Sequence, residues 1–208
     1  MRRSLTALVS VLMVAGLVVL AGCTAPEKAT TSPSASSVDV DTPTLRDMRR
    51  AAGVEPCADG GATAVDGGLP ALTLPCLGGG PDVDLSSLKG PLVVNLWQAF
   101  CGPCREEMPA LQAFYADHGD QVGVVGIDYQ DVQPEAALQL VKKTGVTYPL
   151  VADPGGDLNG NGAFPRVRGL PYLAFVDADG SLAWVGAGGV SSEQELVDLV
   201  HEHLGIDL

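Results

Sequence analysis

Two cysteines three residues apart, Cys101 and Cys104, enclose the tetrapeptide C-G-P-C, and a carboxylate, Glu107, follows after another three residues. On a helix these three side chains share one face. Two thiols so placed can close into a disulfide and reopen with little backbone movement, and thiol-disulfide exchange needs a group that takes a proton. A Cys101 at the helix start has its thiolate stabilised by unpaired N–H groups and the positive end of the macrodipole. Cys101 is therefore the candidate nucleophile, Cys104 the resolving thiol that releases a mixed disulfide, and Glu107 the candidate general base, its pKa raised by partial desolvation. Ordinary helix-dipole attraction of a first-turn carboxylate is the competing account of Glu107, and accounts for Glu106. A zinc half-site would need a second ligand pair at matching spacing. Cys57 and Cys76 are isolated from each other, and His118, His201 and His203 lie far away, so no metal is assigned.

The surrounding elements must hold these groups in place. Residues 92–97 form an apolar, β-branched run that predicts a buried strand ending at the motif. A helix is predicted from the motif to about Asp117, with Pro103 in its first turn, Leu111 and Phe114 at core spacing and a bend at Pro109. Residues 121–129 predict a second buried strand. Residues 134–145 carry an N1 proline, an apolar stripe, C-terminal lysines and a stopping glycine, which predict a helix. Strand, helix and strand in succession imply a parallel crossover and an α/β fold. Residues 69–74 and 83–85 are short strand candidates around the Gly78-Gly79-Gly80 turn. Residues 169–177 predict a strand that turns at Ala178-Asp179-Gly180 into a hairpin partner at 181–185. An amphipathic helix over 191–204, with Leu196, Leu199 and Val200 inward, closes the chain; the three histidines are expected at the surface.

The N-terminus has its own logic. Met1-Arg2-Arg3 and the apolar run 5–20 read as a signal peptide, too short for a comfortable membrane span. The run ends in Leu20-Ala21-Gly22-Cys23, which resembles the lipobox of bacterial lipoproteins, with cleavage before a lipidated Cys23; an uncleaved anchor is the alternative. The chain carries a net charge of −13, and cleavage removes two arginines and no acid. Such a surface disfavours nucleic acid and anionic headgroups as partners. Residues 23–44, rich in Ser, Thr, Pro and Ala, read as a flexible tether with a span of roughly 25 Å. A short helix, capped by Thr44 and stopped by Gly53, opens an extension over 45–67.

Five cysteines then divide by context. With Cys23 assigned to lipid and Cys101 and Cys104 to redox chemistry, Cys57 and Cys76 remain as a pair that an oxidising compartment would bridge, adding about 3 kcal/mol in the chain-entropy model. A second redox relay is the alternative. The stretch 157–162, D-L-N-G-N-G, matches the first half of a calcium loop, but Arg168 stands where its twelfth position needs Glu, so a loop or short helix is expected and no metal.

The stretch 95–109, N-L-W-Q-A-F-C-G-P-C-R-E-E-M-P, resembles the active-site segment of the TlpA/ResA/DsbE-type thioredoxin-like proteins, membrane-tethered thiol-disulfide oxidoreductases of the bacterial envelope. The likeness runs from about Leu69 to the C-terminus. It implies a thioredoxin-like domain over 68–208, a central mixed sheet flanked by helices with an N-terminal β-hairpin and an inserted helix-loop segment. It implies a cis-proline, Pro171, facing the motif, with Leu170, Phe100 and Trp97 completing the substrate contact. Lacking an N–H, Pro171 leaves the preceding backbone free to pair with an incoming peptide, and the cis form costs little before proline. Glu107 matches the glutamate of the C-x-P-C-x-x-E-x-P pattern, whereas Asn95 replaces thioredoxin's titrating aspartate. Phe100 stands for the usual tryptophan and Gln98 for a small residue, changes expected to alter the docking surface.

The implied activity is disulfide exchange with protein substrates by a lipid-anchored monomer facing outward, supplied by a membrane redox partner and needing no organic cofactor. The resemblance allows a reductant of apocytochrome c or other envelope thiols, towards which the Gly-Pro pair leans, or an oxidant of secreted proteins. Two further classes are weighed. A peroxiredoxin shares the fold but expects Thr or Ser where Gln98 stands, and a non-catalytic binding lipoprotein requires an inert disulfide, which insulin reduction would expose.

Overall fold

The computed structural model describes residues 38–58 and 60–208. The expected signal peptide, Cys23 and the tether before Val38 lie outside the described residues.

The first described element is α1 (Pro43–Ala52). The sequence places its cap at Thr44; instead Thr42 is the N-cap, its hydroxyl accepting the Leu45 N–H, and Pro43 takes the first helical position. Proline suits that position because its missing N–H would be unpaired there. Gly53 ends the helix in the left-handed region at φ 78°. The tether also ends earlier than its composition indicates, because Val40 is buried in the core and its carbonyl accepts the Gly78 N–H.

Next come β1 (Thr73–Leu74) and β2 (Val83–Asp84), an antiparallel pair shorter than the two predicted strands. A 3-10 turn over Leu85–Ser87 leads to β3 (Leu92–Trp97), buried throughout. α2 (Gly102–His118) follows, with Pro109 inside one continuous helix, then β4 (Gly123–Tyr129) and α3 (Pro134–Thr144), stopped by left-handed Gly145. β5 (Leu150–Asp153) was not foreseen, since its four residues merge into the Asp/Gly loop beyond. β6 (Tyr172–Val176), β7 (Leu182–Ala187) and α4 (Glu193–Leu204) complete the chain.

The main sheet has the order β5-β4-β3-β6-β7. β3 pairs parallel with β4 and antiparallel with β6, so the strand that feeds the motif is central and paired on both edges. Successive side chains of a strand point to opposite faces. Val93 and Trp97 lie in a core with Leu45 of α1, Leu111 and Phe114 of α2, Leu138 of α3, and Leu196 and Val200 of α4. Leu92, Val94 and Leu96 pack the other way, with Leu74, Val83, Leu85, Phe164 and Tyr172. Side chains such as Leu111 and Phe114, fully buried, each contribute about 1.5–3 kcal/mol by leaving water. That anchoring fixes α2 rigidly against β3, which sets the position of its N-terminus.

The histidine expectation is corrected in two places. His203 stacks on Trp184 with ring centroids 4.8 Å apart and tilts against Phe175 at 5.1 Å. His118 packs on Phe114 at 5.3 Å and lies 3.4 Å from a Glu193 carboxylate oxygen. His201 alone is exposed.

Candidate active site

Cys101 is the N-cap of α2. Its Sγ accepts the Cys104 N–H at 3.2 Å, so one of the unpaired donors of the helix start is aimed at the sulfur. The chain reaches that point through a turn closed by Cys101 N–H to Gln98 O. Asp131, after β4, holds this turn: one carboxylate oxygen accepts the Ala99 N–H and the other the Gln133 N–H, both at 2.8 Å. Cys101 and Cys104 are joined by a disulfide; Cys101 is half-buried and Cys104 fully buried.

Glu107 lies one turn below Cys104 and is 1% exposed. It sits beyond the first turn of α2, so the helix-dipole account given for Glu106 and Glu107 does not describe them well. Asn95 donates its amide to Glu107 Oε1 at 2.7 Å, bringing the position of thioredoxin's aspartate into direct contact with the carboxylate. Burial pushes the Glu107 pKa up to about 8, moderated by the Asn95 amide and the Val190 backbone. A carboxyl held there changes protonation near neutral pH, the range that thiol chemistry requires.

The floor beneath Glu107 is polar as well as buried. Among the described residues, Asn95 Oδ1, Trp97 Nε1 and the Tyr148 hydroxyl are all enclosed without a protein hydrogen-bond partner. Gly126, opposite Asn95 on β4, makes the space: a Cβ there would lie 3.0 Å from Trp97 Nε1 and 3.1 Å from the Tyr148 ring. Burial, and the nearby Glu107 charge, push the Tyr148 phenol upward. Tyr148 was missed from sequence; a glycine inside the buried strand 123–129 was the available signal, since strand glycines often mark close approach.

Pro171 follows a cis Leu170–Pro171 bond and lines a cleft of about 240 Å³ with Pro103, Glu107 and Gly189. Gly189 was also overlooked. A Cβ there would stand 2.5 Å from Glu107 Oε2 and 2.8 Å from Pro171 Cγ, so only a bare backbone can cover the carboxylate at that point. Phe100 is 61% exposed beside Cys101. Leu170 is half-buried. Trp97, expected among the substrate contacts, is fully buried on the helix-covered face of β3 and cannot meet a partner. Gln98 turns inward too, donating to Tyr129 O at 3.3 Å, which makes it a brace of the turn more than a docking residue.

Cys57 and Cys76 form a second disulfide on the opposite face of the sheet, with Cys76 bridging to Val151 of β5. Among the described residues no group of three His, Cys, Asp or Glu could hold a metal ion. The 153–162 loop is spent on itself: Asp153 accepts the Asp157 and Leu158 N–H groups at 2.8 and 3.0 Å.

Residues 65–185 match the AhpC/TSA family model. The chain is a thiol-disulfide oxidoreductase of the AhpC/TSA family. It is 31% identical to the thiol-disulfide oxidoreductase ResA of Halalkalibacterium halodurans over 125 residues, 58% of this chain and 69% of that protein. It is 32% identical to the thiol:disulfide interchange protein CycY of Rhizobium leguminosarum over 130 residues, 60% of this chain and 67% of the relative. A DsbF homologue from Corynebacterium diphtheriae superposes with a TM-score of 0.58 at 26% identity, covering 72% of this oxidoreductase and 99% of that structure. The fold is thereby that of thioredoxin-like oxidoreductases, an α/β mixed sheet flanked by helices.

Proposed function

We propose that this oxidoreductase is a lipid-anchored reductant of protein disulfides on the outer side of the membrane. Its thioredoxin-like domain over 68–208 would be carried on the 23–44 tether and the 45–67 extension, with Cys23 lipidated after removal of residues 1–22. The observation that carries the chemistry is the coupling of an N-cap cysteine to a buried carboxyl on one helix face: Cys101, Cys104 and Glu107.

In the reduced protein the Cys101 thiolate attacks one sulfur of a substrate disulfide, expelling the other as a thiolate and forming a mixed disulfide. Glu107, in its carboxylate form, takes the Cys104 proton. Cys104 then attacks Cys101 Sγ, the second substrate thiolate leaves, and Glu107 returns its proton to the departing sulfur. The substrate gains two electrons, and the protein ends with Cys101 joined to Cys104. A membrane dithiol donor is required to restore the reduced form. Phe100, Leu170 and Pro171 are the proposed substrate contacts, Pro171 sharing a cleft with Pro103 and Glu107; Cys57 and Cys76 serve as a structural staple.

Gly102-Pro103, the pair found in strongly reducing thioredoxin, supports the donor direction, with apocytochrome c or other envelope thiols as substrates. One observation favours the reverse: an N-cap stabilises the Cys101 thiolate and hence the reduced form, as in an oxidant of secreted proteins. The equilibrium reduction potential of Cys101 and Cys104 separates the two. A value near or below about −230 mV is expected, and one near about −120 mV would overturn the donor reading.

A further inference from the structure

Two clefts flank Cys101, and their charges are opposite. On the α3 side, a cleft of about 270 Å³ is lined by Ala99, Phe100 and Leu140 with Arg105 and Lys143 as its charged members. On the α4 side, the cleft of Pro103 and Pro171 carries Glu106 and Glu195 at its rim. All four charged side chains are exposed. Glu195 is held in place by the Ser191 N–H and hydroxyl, both at 2.7 Å, which keep its pKa below the ordinary carboxylate value. Arg105 and Lys143 make no ion pair among the described residues. In a chain with twelve basic and twenty-five acidic residues, two unpaired cations beside the redox pair and its exposed Phe100 are a local reversal of the global charge.

We propose that the site selects its protein substrate by charge order: an extended segment whose cysteine is flanked by an acidic residue on one side and a basic residue on the other. The segment crosses Cys101 with its acidic residue against Arg105 and Lys143 and its basic residue against Glu106 and Glu195. Its apolar side chains pack on Phe100, Ala99 and Leu140. The inference deepens the proposed function, because it presumes that Cys101 exchanges with a protein disulfide. Each exposed pair contributes little, so charge order selects among substrates more than it drives binding.

The test uses two disulfide-linked peptides of identical composition, one with Asp before and Lys after the cysteine, the other with the two exchanged. Equal net charge cancels the long-range repulsion of an acidic protein, leaving order as the variable. With the full-length reduced protein at low ionic strength, one order is expected to react about five-fold faster, two exposed pairs being worth roughly 1 kcal/mol together. The gap should shrink as salt screens it. In Lys143→Glu and, separately, Glu195→Lys the ratio between the two peptides should fall towards one or invert. Equal rates in the wild type, or a preference that both variants retain, would overturn the proposal. Failure of the redox reading looks different: neither peptide, nor a small linear disulfide such as oxidised glutathione, would then exchange with Cys101.

Discussion

Glu107→Gln is the substitution on which the mechanism depends, and stability and rate should respond in opposite directions. The glutamate is 1% exposed and its pKa stands at about 8 against an ordinary 4.5. The folded state thus holds a proton that the unfolded chain has released, so wild-type stability falls as pH rises from about 4.5 to about 8. At about 1.36 kcal/mol per decade, the ceiling on that loss is about 5 kcal/mol, and relaxation around an ionised carboxylate reduces it to a few. Glutamine keeps the shape and can still accept the Asn95 amide proton, but it cannot ionise. Urea unfolding of the oxidised proteins at pH 5 and pH 8.5 should therefore find the variant close to wild type at the lower pH and more stable by about 2–4 kcal/mol at the higher. Other buried carboxyls, including Asp128 and Asp153, are common to both proteins and cancel in the comparison. Resolution of a mixed disulfide should slow by a factor of about 10²–10⁴, the usual worth of general base catalysis, and lose its rise towards pH 8. A stability difference that stays constant between the two pH values would refute the desolvated carboxyl. Unchanged resolution kinetics would refute the base.

The remaining expectations are narrower. Cys104→Ser should trap a covalent adduct between Cys101 and a substrate cysteine, visible by intact-mass spectrometry and reversed by dithiothreitol; an adduct on Cys57 or Cys76 instead would misplace the nucleophile. Gly189→Ala puts a methyl group 2.5 Å from Glu107 Oε2, so it should lower stability by about 1–3 kcal/mol and slow exchange together, read by denaturant titration and single-turnover kinetics. Replacing both Cys57 and Cys76 by alanine should cost about 3 kcal/mol in unfolding free energy while the potential of Cys101 and Cys104 stays put; a shifted potential would revive the relay. Asp128→Asn removes a buried carboxyl whose pKa lies well above the ordinary range and whose Oδ1 has no hydrogen-bond partner among the described residues. Its folded-state pKa is raised, so the wild type loses stability as pH climbs above about 4, and the variant should be the more stable of the two at neutral pH by thermal melting.

The parts of the site that were readable are those whose signal is local. A run of β-branched residues, a cysteine pair at helix spacing and a proline in the first turn lie within 92–104, and each reports on its own neighbours. Residues that depend on distant partners were harder. The family resemblance counts Trp97 among the substrate contacts, but the strand's alternation turns it, with Val93, into the helix-covered core. Tyr148 and Gly189 come from loops some forty and eighty residues further along, and nothing in their flanking residues points to Glu107. β5 escaped for a different reason: four residues between Pro149 and an Asp/Gly loop are too few to display a period. The start of α1 lies two positions before the expected cap because Thr42 and Thr44 are both acceptable caps, and the decision falls to Pro43, which suits the first helical turn.

The two faces of β3 also explain why one cysteine pair is poised for exchange and the other is not. Asn95 and Trp97 open downwards into a polar floor with Glu107, and Cys101 stands half-exposed at a helix terminus above it. There the thiolate has donors, and the proton has a carboxyl to go to. Leu92, Val94 and Leu96 face the other way, into the apolar cluster that encloses Cys57 and Cys76. Around those sulfurs, Cys57 Sγ is 3.1 Å from the Leu150 carbonyl, which disfavours negative charge, while Arg49 reaches Cys76 Sγ only at 3.6 Å. With 4% and 2% of their surfaces exposed, neither can be approached in line by a substrate thiolate. Exchange requires both a stabilised thiolate and an open trajectory. Only the face of β3 that carries Asn95 supplies both, and it delivers them at Cys101.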